Sequence, residues 1–256
     1  AICAHCRKRI RLGHWALPRP EIAAIPEGLH TIGAMRARLS AVLITRNVAS
    51  QLETCLSSCA FADEIVIADS GSTDATLDIA RRFNAKTVQR EWLGFGKQKQ
   101  FAVAQASHDW VLCVDADECV SDALRASILK ELEAPHFHAY EMPRCNRFMG
   151  RWLRHGEGYP DFSLRLFDRR HANWSDDSIH EKVVTTGPVG RLDGDLLHES
   201  EQGLADYLAK QNRYTTLQAE ALRARGQHAG IAKMLLSPLL RFIKFYFLRL
   251  GFLDGV

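Results

Sequence analysis

The sequence predicts an α/β fold with a mostly parallel central sheet, and three observations carry that prediction. From Leu39 onward, short apolar runs alternate with stretches of helical periodicity. The runs are continuous rather than alternating, the pattern of strands covered on both faces by crossover helices. Three of them end abruptly in polar clusters: Thr45-Arg46-Asn47, Asp69 to Asp74, and Asp115 to Glu118. Ligands of such sheets bind at the carboxyl ends of the strands, so the three clusters should converge on one site.

The 256 residues are 46% apolar with a net charge of +3, enough for a core and too mild for a nucleic-acid binder. Seven cysteines, odd in number and without a disulfide-scaffold spacing, fit a reducing, cytoplasmic setting. Residues 1–38 read as a loosely ordered lead-in interrupted by Pro18, Pro20 and Pro26. Cys3-Ala-His-Cys6 offers half of a zinc site, but no second C-x-x-C follows. The stretch also lacks the apolar segment of a secretory signal.

Leu39 to Ile44 is the first strand. Gln51 to Cys59 follows as a helix, with Leu52, Cys55, Leu56 and Cys59 on one face. Glu64 to Ala68 predicts a second buried strand, Thr76 to Phe83 a second helix, and Lys86 to Gln89 a weak strand. A helix over Lys97 to Ala106 leads into the apolar run Trp110 to Val114. This alternation is that of right-handed strand–helix–strand units.

Each polar cluster has a chemical use. Asp115, Asp117 and Glu118 crowd carboxylates that repel unless water or a cation screens them, and such oxygen-rich groups suit Mg²⁺ or Mn²⁺. A solvated acidic turn is the plainer alternative, and the placement at a strand end weighs against it. Asp69 can accept hydrogen bonds from ribose hydroxyls or a base N–H. Ser70, Gly71, Ser72 and Thr73 make a tight turn before a helix, whose first N–H groups favour anions. Ser72, Thr73 or Asp74 would serve equally as a simple helix cap. Neither a P-loop nor a dinucleotide-binding glycine fingerprint is present.

Taken together, Thr45-Arg46-Asn47, Asp69-Ser-Gly-Ser-Thr-Asp74 and Asp109-Trp-Val-Leu-Cys-Val-Asp-Ala-Asp-Glu118 resemble family 2 glycosyltransferases of the GT-A fold, a Rossmann-like nucleotide-sugar-binding domain. Downstream, Gly158-Tyr-Pro-Asp-Phe-Ser-Leu-Arg-Leu-Phe167, Ile179-His180-Glu181, Gly187-Pro-Val-Gly190 and Asp195-Leu-Leu-His198 resemble lipopolysaccharide-core β-1,4-glucosyltransferases. The resemblance runs from Leu39 to the C-terminus. It implies transfer of a hexose, usually glucose from UDP-glucose, with inversion at the anomeric carbon. By resemblance, Thr45, Arg46, Asn47, Asp69, Gly71, Lys99, Asp115 and Ala116 line the nucleotide-sugar site. Asp115 and Asp117 look like a D-x-D pair, with Asp117 the more direct metal ligand and His198 completing the metal shell. An inverting reaction needs a base on the acceptor side. Glu181 is the first choice and Asp161 the second, ahead of Asp176 and Asp177. Gln100 departs from the asparagine usual in relatives at the start of the helix over Lys97 to Ala106, beside Lys99, which the resemblance makes a pyrophosphate partner. Arg165 is read either as reaching a phosphate or as the solvent face of a strand.

Gly203 to Arg225 predicts one helix with Leu204, Tyr207, Leu208, Tyr214 and Leu217 as its apolar stripe, stopped by Gly226. A further helix is expected to start at Ser237-Pro238 and run to Leu253. Arg241, Lys244 and Arg249 interrupt it, so it falls short of the roughly 20 apolar residues of a membrane span. With its cations on one side it suits a helix lying in an anionic membrane face; an ordinary docked helix is the alternative. The expected organisation is a lead-in over 1–38, a catalytic domain over 39–200 and a C-terminal helical segment over 201–256. The expected partners are a UDP-sugar and a lipid-linked saccharide at the inner face of the cytoplasmic membrane, without nucleic acid. Competing readings keep the family and change the acceptor to a polysaccharide or protein, or retain sugar-nucleotide binding without catalysis. A nucleotidyltransferase, which would release pyrophosphate, also uses paired carboxylates.

Overall fold

The structure, a computed structural model, describes residues 36–176, 181–199, 204–226 and 230–255. Most of the lead-in, with Cys3, His5 and Cys6, lies outside the described residues, as do Asp177, Ile179 and His180. Just upstream of the first strand, the Arg36 guanidinium pairs with Asp63 at 2.8 Å and the Ala37 N–H donates to the Leu132 carbonyl.

Strand β1 (Leu39–Thr45), helix α1 (Ala49–Ser58), β2 (Glu64–Asp69), α2 (Thr76–Arg82), β3 (Lys86–Gln89), α3 (Phe95–Ala104) and β4 (Trp110–Cys113) follow the expected alternation. Strands β3, β2, β1 and β4 lie side by side and parallel. Leu52, Cys55, Leu56 and Cys59, the predicted apolar face of α1, are fully buried against this sheet. Such burial is worth about 25 cal/mol per Å² of apolar surface removed from water, which holds the helix in place although its N-terminus has no side-chain cap.

Beyond β4 the sheet changes character. After β5 (Glu118–Val120) and α4 (Asp122–Glu133) come β6 (Ala139–Phe148), β7 (Arg151–Trp152), β8 (Asp161–Asp168), β9 (Ala172–Trp174), β10 (Val183–Thr185), β11 (Val189–Arg191) and β12 (Leu196–His198). The sheet continues from β4 through β8, β6 and β12 to β5, while β9 and β10 form a separate antiparallel ribbon. β8 runs antiparallel to both β4 and β6, whereas β12 and β11 run parallel to β6. The sheet is therefore mixed: β3, β2, β1 and β4 supply the parallel part expected of it, and β8 and β5 add antiparallel neighbours beyond them.

The C-terminal helices are α5 (Leu204–Ala224) and α6 (Ile231–Phe242), followed by a π-helical turn over Ile243–Leu248 and a 3-10 turn over Gly251–Asp254. Pro238 lies inside α6, which begins seven residues earlier at Ile231 rather than at Ser237-Pro238. The expected continuous helix to Leu253 is broken at Leu250, whose φ of 55° is left-handed. The Tyr207 ring meets Phe148 at 5.0 Å, but Leu208 and Tyr214 of the same predicted stripe are exposed. None of the described helices is long and apolar enough to cross a membrane.

Candidate active site

The carboxyl ends of β1, β2 and β4 adjoin, because Thr45 pairs in register with Asp69 and Val42 with Cys113. The first two polar clusters are knitted together there. Asp69 is fully buried, and its Oδ1 accepts from the N–H groups of Gly71 (3.0 Å) and Ser72 (2.8 Å). Its Oδ2 accepts from the hydroxyls of Thr45 (2.8 Å) and Ser72 (2.5 Å). Burial alone would push this carboxyl up, but the four donors outweigh it and hold it below the usual carboxylate range. With its lone pairs engaged internally, Asp69 organises the loop. Gly71 sits at φ 86°, a conformation open to glycine. Asn47 Oδ1 accepts from the Thr73 N–H at 2.8 Å, and Asp74 Oδ2 accepts from the Ala49 N–H at 3.1 Å. Arg46 is exposed beside this loop.

The third cluster is a tight turn closed by a 2.9 Å bond from the Glu118 N–H to the Asp115 carbonyl. Glu118 is fully buried, and its Oε2 accepts from the Asp115 N–H at 3.0 Å, so it braces the turn from beneath. Arg165 corrects both readings of that residue: it neither faces solvent nor reaches outward. It lies buried beneath the turn, donating to Asp115 Oδ2 at 2.8 Å and Glu118 Oε1 at 2.9 Å. Lys99 is nearly buried as well, 3.0 Å from Asp115 Oδ1 and 3.3 Å from Glu181 Oε1. Trp174 lies against both cations, with Lys99 Nζ 4.7 Å and Arg165 Cζ 5.8 Å from its ring centre. Burial alone would push Asp115 up, but Arg165 and Lys99 outweigh it and hold it well below the usual carboxylate range.

Lys99 therefore joins Asp115 to Glu181, the first-choice base. Asp161, the second choice, stands apart with Arg144, whose Nη2 is 2.7 Å from its Oδ2; Arg144 also reaches toward Glu118 Oε1 at 3.6 Å. Asp176 is exposed. The Ala116 side chain packs in the core, so only its backbone is available to a ligand. Gln100, the departure from the usual pattern, accepts from the Trp174 N–H at 2.9 Å and so anchors β9.

The donor set suits a divalent cation. Asp117 Oδ2 and His198 Nε2 face one another at 3.4 Å across the mouth of the turn, brought there by the antiparallel pairing of β12 with β5. A carboxylate oxygen and an imidazole nitrogen with a lone pair repel at that distance unless a proton or cation lies between them. Asp115 has both oxygens occupied by cationic side chains, which leaves Asp117 and His198 as the accessible ligands. A second grouping, His138, Asp168 and His171, lies at the far end of β8, where Arg170 already holds both Asp168 oxygens at 2.9 and 2.6 Å.

Trp174, Arg144 and the inward orientation of Arg165 were not legible in the sequence. The one signal for Arg165 was a lone cation inside the apolar run Leu164-Arg165-Leu166-Phe167.

The chain is 32% identical over 232 residues to the lipopolysaccharide core biosynthesis glycosyltransferase LpsC of Rhizobium meliloti, a match covering 82% of this chain and 80% of that protein. An uncharacterized glycosyltransferase of Rickettsia typhi is 27% identical, over 85% of this chain and 79% of its own length. Among solved structures, Staphylococcus aureus TarS in complex with UDP-GlcNAc is similar at 17% identity and a TM-score of 0.48, over 65% of this chain and 59% of that one. Glucosyl-3-phosphoglycerate synthase of Mycobacterium tuberculosis with Mn²⁺ and UDP-glucose is similar at 22% identity and a TM-score of 0.37, over 43% of this chain and 44% of that one. The family described as glycosyl transferase family 2 matches residues 40–188, and these residues hold β1 to β10 and every charged group of the site except His198. The chain belongs to glycosyl transferase family 2.

Proposed function

We propose that this glycosyltransferase moves a hexose, glucose by preference, from a UDP-sugar to a lipopolysaccharide-core or other lipid-linked saccharide, with inversion and with Mg²⁺ or Mn²⁺. The observation that carries the reading is the facing pair Asp117 and His198 beside the Lys99–Asp115–Arg165 cluster, at the carboxyl ends of the parallel strands. Asp117 and His198 would hold the ion, which when bound supplies positive charge to the departing diphosphate. Thr45, Asn47, Asp69 and Gly71 set the loop that receives the nucleotide, with Arg46 exposed at its edge.

Glu181 takes the proton of the attacking acceptor hydroxyl as the new C–O bond forms and the bond to UDP breaks. Lys99 holds this carboxylate at 3.3 Å. A diphosphate beside Lys99 gives the ammonium a further anion, which loosens its hold on Glu181. Asp161 is the poorer base, because the Arg144 guanidinium already occupies it.

A lipid-linked acceptor is supported by the similarity to LpsC and by the C-terminal surface. Leu235, Leu240 and Leu248 are 72, 62 and 75% exposed. Arg241 instead turns toward Glu157, and Arg249 donates to the Tyr159 carbonyl. Two of the three cations thus face the catalytic domain while the apolar side chains face outward, a polarity suited to insertion in a bilayer at the inner face of the cytoplasmic membrane. Two alternatives, a polysaccharide or protein acceptor and sugar-nucleotide binding without catalysis, are separated by one assay. UDP release is measured from a panel of UDP-sugars with and without lipopolysaccharide-core acceptors. The reading expects acceptor-dependent release that EDTA and Asp117→Ala both abolish. Full activity in EDTA would remove the metal, and release only with polysaccharide or protein would replace the acceptor.

A further inference from the structure

We infer that Asn146 is a positioning residue that selects the ring tautomer of His198, leaving Nε2 free to ligate a cation. The inference deepens the metal-site reading above and rests on it. Strands β6 and β12 run parallel with Asn146 and His198 as register partners, so the two side chains stand side by side. His198 Nδ1 lies 2.6 Å from Asn146 Oδ1.

The direction of that hydrogen bond is set from the other end of the amide. Asn146 Nδ2 donates to the Gly158 carbonyl at 3.3 Å. A carbonyl oxygen only accepts, so the amide nitrogen must face Gly158 and the amide oxygen must face the imidazole. An amide oxygen likewise only accepts, so the proton between the two residues belongs to Nδ1. In the neutral ring Nε2 then carries the lone pair, and Nε2 is the atom that faces Asp117. A ring free to choose would place its proton on Nε2, where it could donate to the Asp117 carboxylate. The asparagine therefore excludes the tautomer that would close the site with an internal hydrogen bond. Groups that orient a metal-bound histidine in this way typically contribute 10–100-fold in metal affinity.

The Gly158 carbonyl is itself held in place. A Cβ at Gly158 would approach the Leu153 side chain to 2.8 Å, so glycine permits the close packing of this loop. The N–H groups of Arg154 and His155 donate to the Asp254 carboxylate at 3.0 and 2.9 Å. The Gly156 N–H donates to the Arg249 carbonyl at 2.9 Å, and Arg249 Nη2 to the Tyr159 carbonyl at 2.9 Å. The C-terminal turn thus aims the loop, the loop aims the amide, and the amide aims the imidazole.

The test uses the full chain. In the metal-free protein labelled with ¹⁵N-histidine, long-range ¹H–¹⁵N correlation should show His198 as the Nδ1–H tautomer; an Nε2–H tautomer would overturn the inference. Asn146→Leu should shift the ring toward Nε2–H and weaken Mn²⁺ binding in the presence of UDP by about 10–100-fold, read by electron paramagnetic resonance. Asn146→Asp keeps an acceptor for Nδ1 and gives up only the bond to the Gly158 carbonyl, so the ring should remain the Nδ1–H tautomer in the same correlation; an Nε2–H ring in this variant would overturn the inference. Equal Mn²⁺ affinity in the parent and in Asn146→Leu, with a loss in His198→Ala, would overturn the role of Asn146 alone. Unchanged affinity in His198→Ala would overturn the metal site itself.

Discussion

The Lys99 ammonium lies 3.0 Å from Asp115 Oδ1, sharing that carboxylate with Arg165, which is 2.8 Å from Oδ2. The same ammonium reaches Glu181 Oε1 at 3.3 Å, so Lys99 links the two carboxylates. Lys99→Met should lower kcat/KM by about 10²-fold, the usual cost of removing one charged donor from a developing anion. Lys99→Arg should recover part of it. Steady-state UDP release checks both, and unchanged kinetics in Lys99→Met would confine Lys99 to a structural role.

Glu181→Gln should keep UDP-sugar binding and lose about 10³-fold in kcat, the range of a single general base. Asp161→Asn should lose much less, because Arg144 holds that carboxylate. Comparison of kcat with KM in the two variants decides the assignment, and a near-normal kcat in Glu181→Gln would move the base to Asp161.

Arg165→Leu leaves buried Glu118 without its nearer cation, 2.9 Å away, and with only Arg144 at 3.6 Å. Breaking a buried pair from one side costs about 3–5 kcal/mol, which for a chain of this size lowers Tm by about 10 °C. The double substitution Arg165→Leu with Glu118→Leu should recover part of the loss in calorimetry. Additive losses would show that the pair is not coupled.

Asp69→Asn tests the loop through pH. A carboxyl held below its ordinary value of 3.8 contributes stability that is present above that value and is lost as pH falls through the folded value. The parent should therefore exceed Asp69→Asn by about 2 kcal/mol at pH 7, as expected for hydrogen bonds to a charged group. The gap should shrink below about pH 4. Urea unfolding at pH 7, 5 and 3 measures it, and a gap independent of pH would assign the effect to packing.

Leu235→Asp with Leu248→Asp should release the protein from liposomes while leaving UDP-sugar binding intact. If binding is driven by apolar insertion, it should also persist in high salt, which screens exposed charges within about 10 Å or less. Flotation assays in low and high salt check this, and salt-sensitive binding unaffected by the two substitutions would restore an electrostatic attachment.

The first half of the fold was legible because each element there is a continuous apolar run or a helical stripe with one solution, as Leu52, Cys55 and Leu56 illustrate. The second half was not, because β5, β7 and β9 to β12 are two or three residues long and too short for periodicity to act on. The site was legible where chemistry is concentrated in sequence, at Asp69 to Asp74 and Asp115 to Glu118. It was illegible where distant residues meet only through strand pairing. Arg165 reaches Glu118 because β8 neighbours β4, whereas the grouping of His198 with Asp117 came only from the family resemblance, since it rests on β12 pairing with β5. The placement of Pro238 failed for a local reason: a proline after serine signals a helix start, and here Gly230 had already started one.

Asp254 lies in the apolar stretch after α6, and its carboxylate receives the backbone N–H groups of Arg154 and His155. Anyone trimming the oily tail to improve solubility would remove this carboxylate together with the side chains they meant to discard. The shortened protein would lose the fastening of the segment that leads into β8, and a drop in turnover could be mistaken for a missing membrane. Charge-introducing changes on the outward face, with Asp254 kept, separate handling properties from catalysis.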